Sequence, residues 1–107
     1  MKALSIKNPW PDMIASGQKT IETRVWQTNH RGTLLICATK QPPGETSGMA
    51  VAVANLVDCR PMTKEDGVAA CIGLYPGAFA WVLSNVRKIK PFPVRGQLKL
   101  FDVDRNI

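Results

Sequence analysis

The stretch "GQKTIETRVWQTNHRGTLLICA", residues 17–38, changes character twice. It leaves a glycine, alternates between charged and apolar residues, and ends in an unbroken aliphatic run. From Lys19 to Trp26 the alternation has the two-residue period of a β-strand, which puts Thr20, Glu22, Arg24 and Trp26 on one face and Ile21, Thr23 and Val25 on the other. The charged face is expected to look outward and the second face toward the core. "QTNHRG" has turn chemistry. "TLLICATK", residues 33–40, resumes as a strand whose continuous apolar content predicts burial on both sides. These two strands are expected to pair as a hairpin.

Working back toward the N-terminus, "KALSIK" reads as a short strand and "NPWPDMIASG" as the start of a helix. Asn8 is placed to cap it and Pro9 to occupy the first helical position, where no N–H donor is needed. Trp10, Met13 and Ile14 fall three and four apart, on one face. Gly17 suits the left-handed residue that ends a helix. About two turns are predicted.

Forward from the same stretch, "KQPPGETSGM" reads as a loop and "AVAVANLVDC", residues 50–59, as a central strand. Residues 60–78 read as irregular, with one short helix around 64–72 after a capped turn at Thr63–Asp66. Two more strands are expected at 79–89 and 96–104. Between them "KPFPVRG" carries prolines that exclude a regular central strand. No internal repeat is visible. The expected architecture is α+β: a small mixed β-barrel flanked by one to three short helices, in a single domain spanning residues 1–107.

Lysine and arginine outnumber aspartate and glutamate by 14 to 8, giving a net charge of +6. That balance favours encounter with polyanions, so RNA or DNA is the expected partner class, with a protein partner also open. No segment approaches about 18 consecutive apolar residues and the N-terminus lacks an apolar signal core. Hence no membrane span, and a cytoplasmic or otherwise intracellular location, are expected. The odd cysteine count, without a C-x-x-C pair, predicts reduced thiols. His30 stands alone in a turn, so neither a metal nor another cofactor is expected. Nothing local marks an activated nucleophile or a phosphate loop. A monomer is favoured.

The candidate chemistry lies in the opening stretch. Glu22 can hold the Arg24 guanidinium in the fixed orientation that suits a phosphate or a base edge. Trp26 extends that face with a ring on which a base would gain about 1–3 kcal/mol by stacking. A solvated strand with a surface ion pair worth about 0–1 kcal/mol, and a tryptophan packed under a loop, accounts for the same pattern equally well. Were Lys19 and Glu22 to converge, the pair could act as a catalytic base on a small amide.

With G-x-K-x-x-E-x-R at 17–24, Pro9-Trp10 before it and Trp26 and Arg31-Gly32 after it, the chain resembles the ASCH domain family, whose fold is similar to the PUA domain. The likeness continues in "FAWVLSNVRKIKPFPVRG", and the motif set looks more like the coactivator branch of the family than its smaller bacterial amidohydrolase branch. The resemblance implies a β-barrel with a nucleic-acid cleft between barrel and first helix, and would place Lys19, Glu22 and Arg24 in it. Pro9, Trp10, Trp26, Arg31 and Lys40 complete the expected nucleic-acid-binding set. Arg60, Arg87 and Lys88 would widen a basic rim. RNA, single-stranded or structured, is the expected ligand, since no helix with a basic face suited to a duplex groove is visible. Some ASCH proteins hydrolyse N4-acetylcytidine with the motif lysine, a threonine three residues later and a distant glutamate. Here Lys19 matches, Glu22 replaces the threonine, and Glu65 is the loose candidate for the glutamate. An amidohydrolase with Lys19 and Glu22 as its catalytic pair, or a ribonuclease, is therefore the alternative.

Overall fold

The computed structural model describes residues 1–106. Six strands form one curled, half-barrel sheet: β1 (Lys2–Ile6), β2 (Ile21–Arg24), β3 (Gly32–Ala38), β4 (Met49–Pro61), β5 (Phe79–Pro93) and β6 (Leu100–Asp102). Their spatial order is β2-β5-β4-β3-β1-β6. β1 runs parallel to β3, while the other pairings are antiparallel, so the sheet is mixed. Two short helices, α1 (Trp10–Ala15) and α2 (Gly67–Ala70), complete the α+β fold, with a 3-10 turn at Lys64–Asp66 leading into α2.

β3 lies between β1 and β4, and Leu34, Leu35, Ile36 and Cys37 are fully buried. The unbroken apolar run therefore does what its composition predicts. Alternate residues feed two cores. Leu34 and Ile36 join Leu4, Ile6, Leu56 and Trp81 under α1, whose Ile14 is sealed among them. Leu35 and Cys37 join Ala3, Val53, Phe92 and Phe101 on the opposite face. Each such aliphatic or aromatic side chain contributes about 1.5–3 kcal/mol by leaving water. Burial also pushes the Cys37 thiol up to about 12, so it stays protonated.

The expected hairpin between β2 and β3 is not formed. Both edges of β3 are taken by longer partners, so the chain crosses from β2 to β3 without pairing them. β2 pairs with β5 instead, Glu22 opposite Trp81 and Arg24 opposite Phe79. The faces of β2 are also not divided into core and solvent sides. Glu22 is as buried as Ile21, while Val25 is 68% exposed. The sheet curls, turning the face that carries Glu22, Arg24 and Trp26 inward. Ile21 on the other side is covered by Met62, Ala70, Ala78 and Ala80.

Three smaller expectations also change. Asn8 does not cap α1: its amide donates to the Pro42 and Thr39 carbonyls and to Ser47 Oγ, fastening the loop over residues 39–48. Pro9 stands at the cap position and Pro11 within the first turn. Gly17 does leave the helix at φ +86. β5 continues through Pro91 to Pro93, because β2 pairs only with residues 79–82 and leaves the far half of β5 without a partner on that side. A proline lacking an N–H costs nothing on such an edge. Finally, the last strand is only Leu100–Asp102 rather than the whole of 96–104. No helix among the described residues is long and apolar enough to cross a membrane.

Candidate functional site

The chain enters β2 from α1 by a tight reversal in which the Lys19 N–H donates to the Met13 carbonyl, 3.1 Å away. This reversal points Lys19 inward, where its side chain is 2% exposed. Its ammonium donates to the Ala70 carbonyl at the end of α2. It also stands 3.5 Å from Glu22 Oε1 and 5.0 Å from the centre of the Trp10 ring. Burial drives the Lys19 amine below its ordinary range, and the facing Glu22 carboxylate opposes that shift.

Glu22 is shared. Its Oε2 lies 3.4 Å from Arg24 Nη2, which also donates to the Ser5 carbonyl at 2.8 Å. Arg24 Nε is buried without an acceptor among the described residues. Nη1 has no hydrogen-bond partner among the described residues.

These groups line a cleft of about 260 Å³ together with Ile6, Lys7, Trp10, Thr23, Ile72 and Tyr75. The end of β1 brings Ile6 and the residue after it brings Lys7, the start of α1 brings Trp10, the entry to β2 brings Lys19, β2 itself brings Glu22 and Arg24, and the segment over residues 71–78 brings Ile72 and Tyr75. The cleft thus combines two aromatic rings, a guanidinium held from one side, and Lys7, which makes no ion pair among the described residues. Sequence reasoning missed Lys7, Ile72 and Tyr75. Lys7 carried a usable signal, being a lysine at the junction of strand and helix; Tyr75, in an irregular segment, carried none.

Of the residues expected to act together, Trp10, Lys19, Glu22 and Arg24 converge on this cleft and the others lie elsewhere. Pro9 precedes the helix without lining the cleft. Trp26 packs against Trp81, ring centres 4.8 Å apart and nearly perpendicular, and its carbonyl accepts from the Trp81 indole. Arg31 donates to the Thr28 and His30 carbonyls and stands 3.9 Å from Asp58. Arg60 holds Asp66 through two hydrogen bonds of 2.7 and 2.9 Å. Lys40 lines a different pocket, with Arg95. Lys88 sits by Asp12 and Glu45 in a third depression, and Arg87 is exposed on β5. Glu65 is exposed on the 3-10 turn, outside the cleft. Among the described residues no group of three His, Cys, Asp or Glu side chains could hold a metal ion.

The sequence matches the ASCH domain family over residues 4–93. Activating signal cointegrator 1 from Homo sapiens is 25% identical over 130 aligned residues, and its Mus musculus counterpart 24%. Each alignment takes in 97% of this chain but only 22% of the relative, so the chain spans about a fifth of those proteins. The crystal structure of ASCH from Zymomonas mobilis superposes with a TM-score of 0.76 at 16% identity, over 97% of this chain and 87% of that one. A tyrosine-to-phenylalanine mutant of the same protein gives 0.72 at 15% identity, over 97% and 90%. The chain belongs to the ASCH domain family.

Proposed function

We propose that this ASCH domain binds RNA, single-stranded or structured, by seating one nucleotide in the cleft between β2, α1 and the 71–78 segment. The observation that carries the reading is the attachment of Arg24: Ser5 and Glu22 hold Nη2, leaving Nη1 to meet an acceptor in a cleft that Trp10 and Tyr75 also line. A guanidinium held this way pays little entropy on meeting a phosphate or base edge. The aromatic rings supply stacking surfaces, which unpaired bases offer and a closed duplex does not. A volume of about 260 Å³ lies below the ~300–1,000 Å³ usual for drug-sized ligands, in keeping with one nucleotide rather than a larger cofactor. Lys7 and the net charge of +6 add long-range attraction.

Fluorescence anisotropy with labelled single-stranded RNA, single-stranded DNA and duplex DNA tests this. The single strands should bind at low salt and weaken as salt rises. Trp10→Ala should reduce affinity about thirtyfold, the middle of the ~1–3 kcal/mol stacking range. Absence of binding to every oligonucleotide at low salt sinks the proposal.

A second reading, hydrolysis of a modified nucleoside such as N4-acetylcytidine, is favoured by one observation: the amine of Lys19 is pushed toward its neutral form beside a carboxylate. Against it, Lys19 is committed to Ala70 and Glu22, and Glu65 does not reach the cleft. Product release from N4-acetylcytidine, abolished in Lys19→Arg, is its expected signature.

A further inference from the structure

We propose that a second pocket, across β1 from the cleft, is an anion site that takes a backbone phosphate of the strand whose nucleotide occupies the cleft. The proposal rests on the RNA-binding reading and adds a subsite to it. The pocket has a volume of about 410 Å³ and is lined by Ser5, Thr39, Lys40, Arg95, Gly96 and Gln97, among others. No carboxylate among the described residues lines it.

Its place in the fold follows from the β1–β3 pairing, Ser5 opposite Cys37 and Ile6 opposite Ala38. Ser5 and Ala38 line the pocket, whereas Ile6 and Lys7 line the cleft, so the two sites meet at the same end of the sheet. Ser5 links the two: its carbonyl accepts from Arg24 of the cleft, and the residue lines the second pocket. The proposed path takes a strand leaving the cleft past Lys7 on to Lys40 and Arg95.

The pocket is built as well as charged. The Gly48 N–H donates to the Ala38 carbonyl, and Val94 N–H donates to the Gly48 carbonyl, both at 3.0 Å, fixing the wall. Gly48 has φ +75, and a Cβ there would lie 3.5 and 3.7 Å from Cγ and Cε of Lys40, so the lysine stem lies along bare backbone. At Gly96 a Cβ would come within 2.8 Å of Ser5 Oγ, so the backbone passes directly against that hydroxyl. Lys40 and Arg95 make no ion pair among the described residues, whereas Lys2, Lys19, Arg24, Arg31 and Arg60 are all paired with carboxylates. Between them the two free cations offer eight N–H donors and no acceptor, a composition that selects phosphate oxygens.

The test is the salt dependence of binding to a labelled uridine octamer, using the intact chain. In Lys40→Ala/Arg95→Ala the slope of log affinity against log salt should fall by about 0.7, the contribution of one neutralised phosphate on a single strand. Lys40→Arg/Arg95→Lys should restore it. Lys64→Ala/Lys90→Ala removes the same charge from exposed positions outside both sites and should leave the slope unchanged. An unchanged slope in the first pair, or an equal fall in the Lys64/Lys90 pair, overturns the subsite. If the octamer does not bind at all, the RNA reading fails, and inorganic phosphate then judges the pocket alone. Saturable shifts of the Gly48 and Gly96 amide resonances, lost in Lys40→Ala/Arg95→Ala, establish it as a phosphate site from another source. No saturable shift overturns it.

Discussion

Arg24 on β2 donates to the carbonyl of Ser5 on β1, 2.8 Å away, although four positions separate those strands in the sheet order. The bond spans the opening of the half-barrel, and Lys99, 5.7 Å from the Trp26 ring, draws the loop before β6 to the same seam. A side chain that reads in the sequence as a ligand contact is therefore also a latch.

Arg24→Ala should lower stability by about 2 kcal/mol in urea denaturation. Breaking a buried pair costs about 3–5 kcal/mol, discounted here because Arg24 is 26% exposed. Arg24→Lys should recover less than half, since an ammonium cannot serve Ser5 and Glu22 with the same planar fork. A loss smaller than about 0.5 kcal/mol, the range of neutral surface changes, would show that the latch contributes nothing.

Glu22→Gln should be at least as damaging, about 3 kcal/mol, because it leaves the buried Lys19 ammonium without a countercharge. The sign of the pH dependence follows from Lys19. Its folded pKa lies below its unfolded value of about 10.4, so unfolding takes up a proton between the two. The penalty for burying the cation is thus fully present at lower pH and is relieved as pH rises through that window. In Glu22→Gln the rise should begin at lower pH, as the opposing carboxylate charge is gone. Denaturation midpoints measured up to about pH 10.4 check this, and identical profiles for the two proteins would contradict the pairing.

Asp66 is governed in the opposite direction. Two hydrogen bonds from Arg60, then the Thr63 N–H, hold its carboxyl well below the usual carboxylate range. Its contribution is complete above the unfolded value of about 3.9 and is lost as pH falls toward the folded one. Asp66→Asn should therefore cost about 1–2 kcal/mol at neutral pH, a discounted figure because Arg60 is 39% exposed, and the gap from the unsubstituted protein should close in acid. A gap that stays constant to pH 2 would assign the effect to packing.

Trp26 and Trp10 should separate stability from binding. Trp26→Ala removes the partner of Trp81 and should cost about 3 kcal/mol, with little direct effect on RNA affinity once folding is allowed for. Trp10→Ala should show the reverse emphasis. Intact stability with weakened RNA binding in Trp26→Ala would return that ring to the ligand surface.

Much of the fold was legible in local patterns. The period-two alternation of 19–26 marks β2, the unbroken run of 33–38 marks a doubly buried β3, Gly17 marks the end of α1, and the prolines and glycines of 40–48 mark a loop. Each signal is a property of residues a few positions apart, so no knowledge of the rest of the chain is needed. The motif spacing likewise brought Lys19, Glu22 and Arg24 forward together, and they do share one cleft.

What lies beyond local pattern is partner choice and curvature. Alternation shows that Glu22, Arg24 and Trp26 share a face, but only the curl of the sheet turns that face inward, burying Glu22, partly covering Arg24 and packing Trp26 on Trp81. The hairpin expectation fails for a related reason: with both edges of β3 taken by β1 and β4, β2 pairs with β5, over fifty residues away in the chain. Prolines that exclude a central strand are harmless on an edge, and which strand is an edge is a property of the assembled sheet. By the same logic, fourteen basic residues establish the sign of the field, while backbone pairing alone decides that Lys7 faces the cleft and that Lys40 meets Arg95 beyond β1.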